Sequence, residues 1–251
     1  MPLEPSSATG PTPSSTGSDT AVVICNGPSL ASVPNEWLDQ FPTFGSNRVW
    51  LKYSPTVHVT LDLKMVHNVI LQQEMLVGFE GSDEIYVSGV VADRLGRDNL
   101  PDNCYEFKAW NNLLEADGSL QPGFSTNPLE MIVSGGTVTY GLLQLAYWKG
   151  FSRILIVGCN HTFRDPRGDH FDEAYNKEVG IPYESDQTDP FAAGSEPGEW
   201  FWNEENFVAK VNMFYGVADQ IFKVHRDGEV INCTPDTKCQ VFRIDDWRNY
   251  S

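Results

Sequence analysis

The 251-residue sequence predicts an α/β fold: a Rossmann-like, mostly parallel sheet with helices on both faces and a long, acidic, lid-like insertion. Continuous apolar runs of strand length recur along the chain, as expected for strands that are buried on both faces. These runs alternate with stretches whose apolar residues recur at helical spacing. We therefore expect one α/β domain over residues 21–251, preceded by a tail.

The tail is predicted over residues 1–20, which are rich in Pro, Ser, Thr and Gly and have almost nothing to bury. Such a composition is typical of a disordered segment. Order is expected to begin at the apolar run 21–25, the first predicted strand.

The turn after this strand is Asn26-Gly27-Pro28-Ser29. Gly27 lets the backbone approach a ligand closely, and Pro28 presets the φ angle of a first helical residue. Ser29 would offer a hydroxyl and a backbone N–H at a helix start, which attracts phosphate. A simple turn and cap would use the same residues.

Later runs predict strands at 57–61, 85–91 and 153–157, with a further strand at 221–224. The clearest helix is predicted over 137–149, where apolar residues recur near helical spacing. Gly150 then stands where a helix C-cap is expected.

The charge balance restricts the partners. The chain has 17 basic and 34 acidic residues, a net charge of −17, and duplex nucleic acid or an anionic membrane would repel such a surface. No apolar run approaches the roughly 20 residues of a membrane span, and the N-terminus lacks a signal-peptide layout. Five cysteines without a CxxC pair indicate reduced thiols. We expect a soluble, cytoplasmic protein, with its oligomeric state open.

The stretch 165–206 differs from the rest of the chain. It contains twelve acidic residues against only Arg167 and Lys177, and it lacks apolar periodicity. Long segments of this kind are functional loops, lids or insertions. The aromatic residues Trp200 and Trp202 favour a lid over a solvated linker.

Two further turns are expected at the carboxyl ends of buried strands, where open parallel sheets bind ligands. Ser134-Gly135-Gly136-Thr137 follows an apolar run and precedes the predicted helix, so that its N–H groups would converge as an anion requires. Gly158-Cys159-Asn160-His161 ends the strand at 153–157 and places a histidine at this edge. Neither turn fits a dinucleotide-binding or P-loop pattern. Together they suggest a nucleotide or another phosphorylated ligand. The basic residues that would assist are Arg48, Arg153 and Arg164.

Four stretches in this order, VVICNGPSL, FGSNRVWL, PTVHVTLD and SGGTVTYGLLQLAYWKGFSRILIVGCNHTF, resemble the MptE-like family, named for an archaeal hydroxymethylpterin diphosphokinase. That family is similar in fold to the bacterial sialyltransferases, which use CMP-activated sugars. The resemblance covers roughly residues 21–176, and it implies a nucleotide at the carboxyl edge of the sheet.

In the sialyltransferases, the counterparts of the first turn, of Asn47 and of the Ser134-Gly135 pair lie against the nucleotide. Asp62 stands where those enzymes carry another asparagine. Combined with the turns above, the predicted nucleotide-binding residues are Asn26, Gly27, Pro28, Ser29, Asn47, Asp62, Ser134, Gly135, Gly136, Thr137 and Asn160.

The resemblance also implies a histidine base that deprotonates the acceptor hydroxyl. His170 holds a comparable place in the order of motifs, and His161 is the second candidate. If Asp169, Asp172 and Glu173 lie close to His170, they would favour its protonated form. The tyrosines that support the phosphate leaving group have Tyr175 and Tyr183 as their candidate matches.

One residue departs from the family pattern: Asn160 stands where the MptE-like family usually has an aspartate. An amide carries no charge and does not titrate, so Asn160 can replace that aspartate neither as a base nor as a charged metal ligand.

The function predicted first is a nucleotide-sugar-dependent glycosyltransferase, with a CMP-sugar donor and a glycan or small-molecule hydroxyl acceptor. It needs no tightly bound cofactor and no metal. The alternatives are a Mg-ATP-dependent diphosphokinase acting on a pterin-like alcohol, with Mg²⁺ held by Asp62 and the acids of 165–206, and a non-catalytic nucleotide-binding module, which the Asn160 departure motivates.

Overall fold

The computed structural model describes residues 19–110, 123–161, 170–172, 175 and 204–251. The predicted tail, except for its last two residues, and most of the acidic segment 165–206 lie outside this part of the chain.

The described strands form an eight-stranded sheet in which every pairing is parallel. Its order is β10-β9-β8-β1-β2-β3-β4-β5, and β6 and β7 form a separate parallel pair. The strands are β1 Thr20–Ile24, β2 Thr43–Ser46, β3 Val57–Thr60, β4 Glu84–Ser88, β5 Cys104–Phe107, β6 Ala109–Trp110, β7 Ile132–Val133, β8 Arg153–Val157, β9 Glu229–Asn232 and β10 Arg243–Ile244.

Five α-helices lie between these strands in the described residues. They are α1 Asn35–Leu38, α2 Val69–Phe79, α3 Gly89–Leu95, α4 Val138–Trp148 and α5 Glu204–Arg226. Short 3-10 helices cover Pro28–Ser32, Val49–Leu51, Leu63–Val66, Arg97–Asn99 and Trp247–Asn249.

Both faces of the sheet are covered because successive side chains of a strand point to opposite faces. In β1, Ala21 and Val23 pack in a cluster with the apolar residues of α4 and α5. Val22 and Ile24 pack on the other face with Trp37 of α1. A third cluster joins β4 to α2 and α3 on that second face. The predicted Rossmann-like α/β architecture is confirmed.

The order of the strands reverses at β1. The chain runs outward on one side from β1 through β5, and then returns to place β8 on the other side of β1. Such a switch point leaves a crevice at the carboxyl ends of the two strands, where open α/β sheets bind ligands. Here the switch point lies at the ends of β1 and β8, which are neighbours in the sheet.

Two predicted strands are wrong in whole or in part. The stretch 221–224 belongs to α5, because the buried residues Val211, Phe214, Ala218 and Phe222 follow a helical period while Val224 is exposed. The run 85–91 continues past the end of β4 into α3, which begins at Gly89. The helix predicted at 137–149 is confirmed as α4, and Gly150 follows it with φ +96°.

Candidate functional site

The loops after β1 and β8 are fastened together at the switch point. The N–H of Gly27 donates to the carbonyl of Gly158 at 2.9 Å. Asn160 Oδ1 accepts from both the backbone N–H (3.1 Å) and the hydroxyl (2.7 Å) of Ser29. A Cβ on Gly27 would lie 2.3 Å from the Gly158 oxygen, so that only glycine permits this approach.

This arrangement changes the roles expected for two residues. Ser29 was expected to present free donors to a phosphate, but both of its donors already bind Asn160. Pro28 begins a five-residue 3-10 helix rather than the expected α-helix, so the turn lacks a strong helix dipole. Asn160 acts as an acceptor between two loops, a task for which a neutral amide suffices.

Asn26 and Asn47 follow the ends of β1 and β2, which are neighbours in the sheet, and together they form the next position at its carboxyl edge. Asn26 Nδ2 donates to the carbonyl of Ser46 at 3.2 Å. Asn47 has φ +54°, a left-handed conformation that asparagine tolerates. The Oδ1 atoms of both asparagines are buried and have no hydrogen-bond partner among the described residues. Such buried acceptors require a donor from water or a ligand.

His170 lies directly against this position. Its Nδ1 is 3.3 Å from the carbonyl of Asn26, the same oxygen that accepts the N–H of Phe171 at 3.0 Å. Because a carbonyl can only accept, Nδ1 carries the proton and Nε2 keeps its lone pair in the neutral ring. The ring stacks on Tyr175, with centroids 3.9 Å apart and an interplanar angle of 23°.

The protonation of His170 depends on its surroundings. Burial lowers the pKa of His170, against the raising effect of its hydrogen bond to the Asn26 carbonyl. Asp172 is exposed, and Asp169 and Glu173 lie outside the described residues. The described surroundings therefore favour the neutral imidazole that a general base requires.

Asp62 and Tyr175 lie close to the same position. The Asp62 carboxylate caps the 3-10 helix Leu63–Val66 by accepting the N–H of Lys64 at 2.9 Å. Burial raises the pKa of Tyr175, and the nearby Asp62 carboxylate adds to that rise, whereas hydrogen bonds and charge from Arg48 and Asn47 oppose it. Tyr175, expected only as a candidate match, thus belongs to this cluster.

His161, the second candidate base, points into the core. It is 6% exposed, has φ +59°, and its ring centroid lies 5.9 Å from that of Tyr215. Hydrogen bonds from Cys159 and His161 lower the pKa of Cys239, against the effect of burial. His161 therefore lies beside the buried thiol of Cys239.

The turn Ser134-Gly135-Gly136-Thr137 joins β7 to α4, and both glycines have left-handed φ angles, +57° and +86°. The Thr137 N–H donates to the Ser134 carbonyl at 3.1 Å. No side chain caps the first turn of α4. In that turn, the Thr139 hydroxyl lies 3.3 Å from Cys25 Sγ at the end of β1. The start of α4 is thus placed beside the switch point, with the partial positive charge of an 11-residue helix.

The structure brings most of the predicted site together: the ends of β1, β2, β3 and β8, the start of α4, and His170. It places Arg153 at the opposite edge, where its Nε binds Glu229 at 3.1 Å. Arg164, Tyr183, Trp200 and Trp202 lie outside the described residues, as does most of the expected lid.

Two contacts were missed because they join residues distant in sequence. Glu74 of α2 binds Arg48, and Thr137 Oγ1 lies 3.2 Å from the Tyr215 hydroxyl of α5. The one available signal was the acidic Glu74 within the otherwise uncharged helix VILQQEMLVGF.

The cavities of the described residues lie away from the candidate site, and their side chains form no metal-binding group. In the described part of the chain, a cavity of about 360 Å³ opens beside Trp50, Glu74 and Val77 on the outer side of α2. Another, of about 260 Å³, lies by Ser152 and Gly228 at the far edge of the sheet. Within the same residues, no three His, Cys, Asp or Glu side chains are grouped to hold a metal ion.

Comparison with known proteins yields no match to a family model, to a curated protein or to a solved structure. Among the described helices, none has the length and apolar character that a membrane crossing requires.

Proposed function

We propose that the protein is a nucleotide-sugar-dependent glycosyltransferase of the sialyltransferase-like type. Its donor would be a CMP-activated sugar, its acceptor a hydroxyl of a glycan or small molecule, and its setting the cytoplasm, consistent with five free cysteines. The nucleotide would lie along the carboxyl ends of β1, β2 and β8. His170 would be the general base.

The observation that carries this proposal is the state of His170. Its Nδ1 proton is committed to the Asn26 carbonyl, its pKa is lowered mainly by burial, and it adjoins the β1 turn. A neutral imidazole that carries its proton on Nδ1 keeps the Nε2 lone pair, which is what deprotonation of an acceptor hydroxyl needs.

The proposed nucleotide site is supported by two buried acceptor atoms that have no hydrogen-bond partner among the described residues. The Oδ1 atoms of Asn26 and Asn47 can accept hydrogen bonds from ribose hydroxyls or a base amino group. The uncapped start of α4 and the glycine turn before it can face the phosphate. Most of the phosphate recognition would then come from backbone N–H groups rather than from arginine or lysine.

In the proposed reaction, His170 Nε2 takes the proton of the acceptor hydroxyl as that oxygen bonds to the anomeric carbon of the sugar. The bond from this carbon to the phosphate oxygen breaks, and CMP leaves with the electron pair. The negative charge on the leaving phosphate would be stabilised by the N–H groups at the start of α4.

Replacing the base tests the proposal. His170→Ala should lower CMP release from a CMP-sugar by about 10²–10⁴-fold, the usual contribution of a general base, while CMP affinity stays near wild type. The exposed His225 gives a matched control, since His225→Ala should change neither quantity. Turnover retained in His170→Ala would reject the assigned role.

A further inference from the structure

The described residues next to His170, Phe171, Asp172 and Tyr175, also contact the edge of the sheet or each other. The Phe171 N–H donates to the Asn26 carbonyl, and the Phe171 ring packs against the apolar cluster on the α1 face. The Tyr175 N–H donates to the Asp172 carbonyl at 3.1 Å. The plane of the imidazole is then set by the Tyr175 ring that stacks on it.

A buried arginine reaches the backbone of this segment. Arg48 follows Asn47 at the end of β2 and is 2% exposed. Its Nη2 lies 2.7 Å from Glu74 Oε2 on α2, and its Nη1 donates to the Tyr175 carbonyl. Its Cζ lies 5.8 Å from the centroid of the Tyr175 ring. One guanidinium thus joins the end of β2, helix α2 and the residue that stacks on His170.

Burying the positive charge of Arg48 costs free energy, which suggests that the residue has a specific role. A guanidinium removed from water stabilises the fold little unless its partners are well placed, and a hydrophobic residue often serves as well. Glu74, whose side chain is 35% exposed, supplies the opposite charge from one side. The planar fork of arginine can hold the carboxylate and the carbonyl together, whereas a lysine ammonium lacks that geometry.

We propose that Arg48, anchored by Glu74, is a positioning residue that fixes the His170 imidazole against the Asn26 carbonyl by holding the Tyr175 backbone. The role of His170 as a base rests on the proposed function. The positioning of its ring does not, and it can be measured in the nucleotide-free protein. The charged and titratable groups that face the stack in the described structure are Arg48, Glu74, Asp62 and Tyr175 itself.

The test is ¹⁵N-histidine NMR on the full chain without nucleotide. In the wild type, His170 should show the Nδ1–H tautomer and a pKa below the ordinary value. Lysine at position 48 cannot bind Glu74 and the Tyr175 carbonyl with one planar group, so in Arg48→Lys the His170 ring should become more exposed. The His170 pKa should then rise, and the preference for the Nδ1–H tautomer should be lost. Unchanged His225 signals, from the end of α5, would show that the fold is intact.

Two variants keep the result interpretable. Glu74→Gln keeps an acceptor oxygen but removes the anchoring charge, so it should move the His170 pKa in the same direction and by less. Arg153→Lys makes the same exchange in an ion pair at the opposite edge and should leave His170 unchanged.

A folded Arg48→Lys protein with wild-type His170 tautomer and pKa would overturn the proposal. If Arg48→Lys fails to fold, unaltered His170 signals in Glu74→Gln would do the same. The positioning of His170 by Arg48 can be confirmed even if the protein transfers no sugar, so the two proposals can fail separately. If it does transfer sugar, the variants should lower kcat and leave the KM for the donor unchanged, which a general loss of stability would not do.

Discussion

At the residue scale, Gly27 is held by a close approach of backbone in the candidate site. Its substitution by alanine would put a Cβ 2.3 Å from the Gly158 oxygen and 2.5 Å from Asn160 Oδ1. The loops after β1 and β8 would have to separate, so Gly27→Ala should reduce the free energy of unfolding by about 1–3 kcal/mol.

The matched control for this change is Gly216→Ala in α5, where a Cβ has nothing within 4 Å in the described structure. Alanine in a helix interior is favoured over glycine by roughly 0.5–1 kcal/mol, so this variant should be as stable as the wild type or more stable. Urea denaturation measures both variants. Equal stability of Gly27→Ala and wild type would contradict the proposed close approach.

Asn160 gives a second prediction, which bears on the aspartate that is usual in the resembling family. Since its Oδ1 accepts two hydrogen bonds from Ser29, Asn160→Asp can make both and should retain wild-type stability within about 1 kcal/mol. Asn160→Leu cannot accept and should lose about 1–3 kcal/mol, because it leaves the Ser29 donors unpaired. Thermal melts compare the two, and equal losses would show that acceptance by this oxygen is unimportant.

His58 gives the fold a dependence on pH. The ring is fully buried between Trp50 and Phe79, and its Nε2 lies 2.9 Å from the Asn47 carbonyl. Burial lowers the pKa of His58 from 6.5 to about 4. The unfolded chain therefore binds a proton first, and stability present above pH 6.5 is lost as the pH falls toward 4, by on the order of 3 kcal/mol.

The His58→Phe variant isolates this effect. It should be less stable at neutral pH, since the Asn47 carbonyl loses its donor, but it should lack the added acid dependence. Denaturation at several pH values between 4 and 7 measures the difference, and an identical slope in both proteins would contradict the assignment.

A site residue can be predicted from the sequence when the residues that position it are close to it along the chain. The turns at Asn26, Ser134 and Asn160 were recognised because each follows its own strand directly, and parallel strands end at one edge. The Arg48–Glu74 pair and the inward turn of His161 depend on contacts across the fold, which no local pattern encodes.

At the scale of elements, Gln144 of α4 holds the small β6–β7 sheet in place. Its amide is fully buried: Oε1 accepts the N–H groups of Ser125 and Val133, while Nε2 donates to the carbonyls of Val133 and Tyr140. Gln144→Leu would leave several of these backbone groups unpaired and should cost about 2–4 kcal/mol.

Chemical denaturation and hydrogen exchange at Val133 would check this prediction. Gln72→Leu on α2 is the control, since in the described part of the chain this side chain donates to a single backbone carbonyl, that of Val66. A Gln144→Leu protein no less stable than Gln72→Leu would show that the amide is not what fixes β7.

Elements were predicted well where their apolar pattern was strong. Strands β1 and β8 have continuous apolar sequences and are neighbours inside the sheet, and helix α4, whose apolar residues are periodic, packs on them. The edge strand β5 has one buried residue of four and β10 has none, so their sequences give no such signal. Helix α2 has apolar residues on its exposed side as well, where Val69, Ile70 and Val77 lie, which removes the expected periodicity.

At the scale of the whole molecule, the reversal of strand order at β1 determines where a ligand can bind. It puts the ends of β1 and β8 side by side, and the chain places its glycine turns, two asparagines and His170 at that edge. The net charge of −17 offers an anionic nucleotide no general attraction. Recognition of the proposed nucleotide would therefore come from local N–H groups and side chains.

The most direct measurement is thermal unfolding of the full chain with CMP, UDP, GDP and ATP, each with Mg²⁺ and with EDTA, in wild type, Gly27→Ala and Gly216→Ala. We predict stabilisation by CMP in wild type and Gly216→Ala, unaffected by EDTA, reaching about 2.7 kcal/mol at a hundred times Kd, and its loss in Gly27→Ala. Stabilisation by ATP only with Mg²⁺ would favour the diphosphokinase instead. No stabilisation by any nucleotide would contradict a nucleotide site at this edge and leave a non-catalytic module.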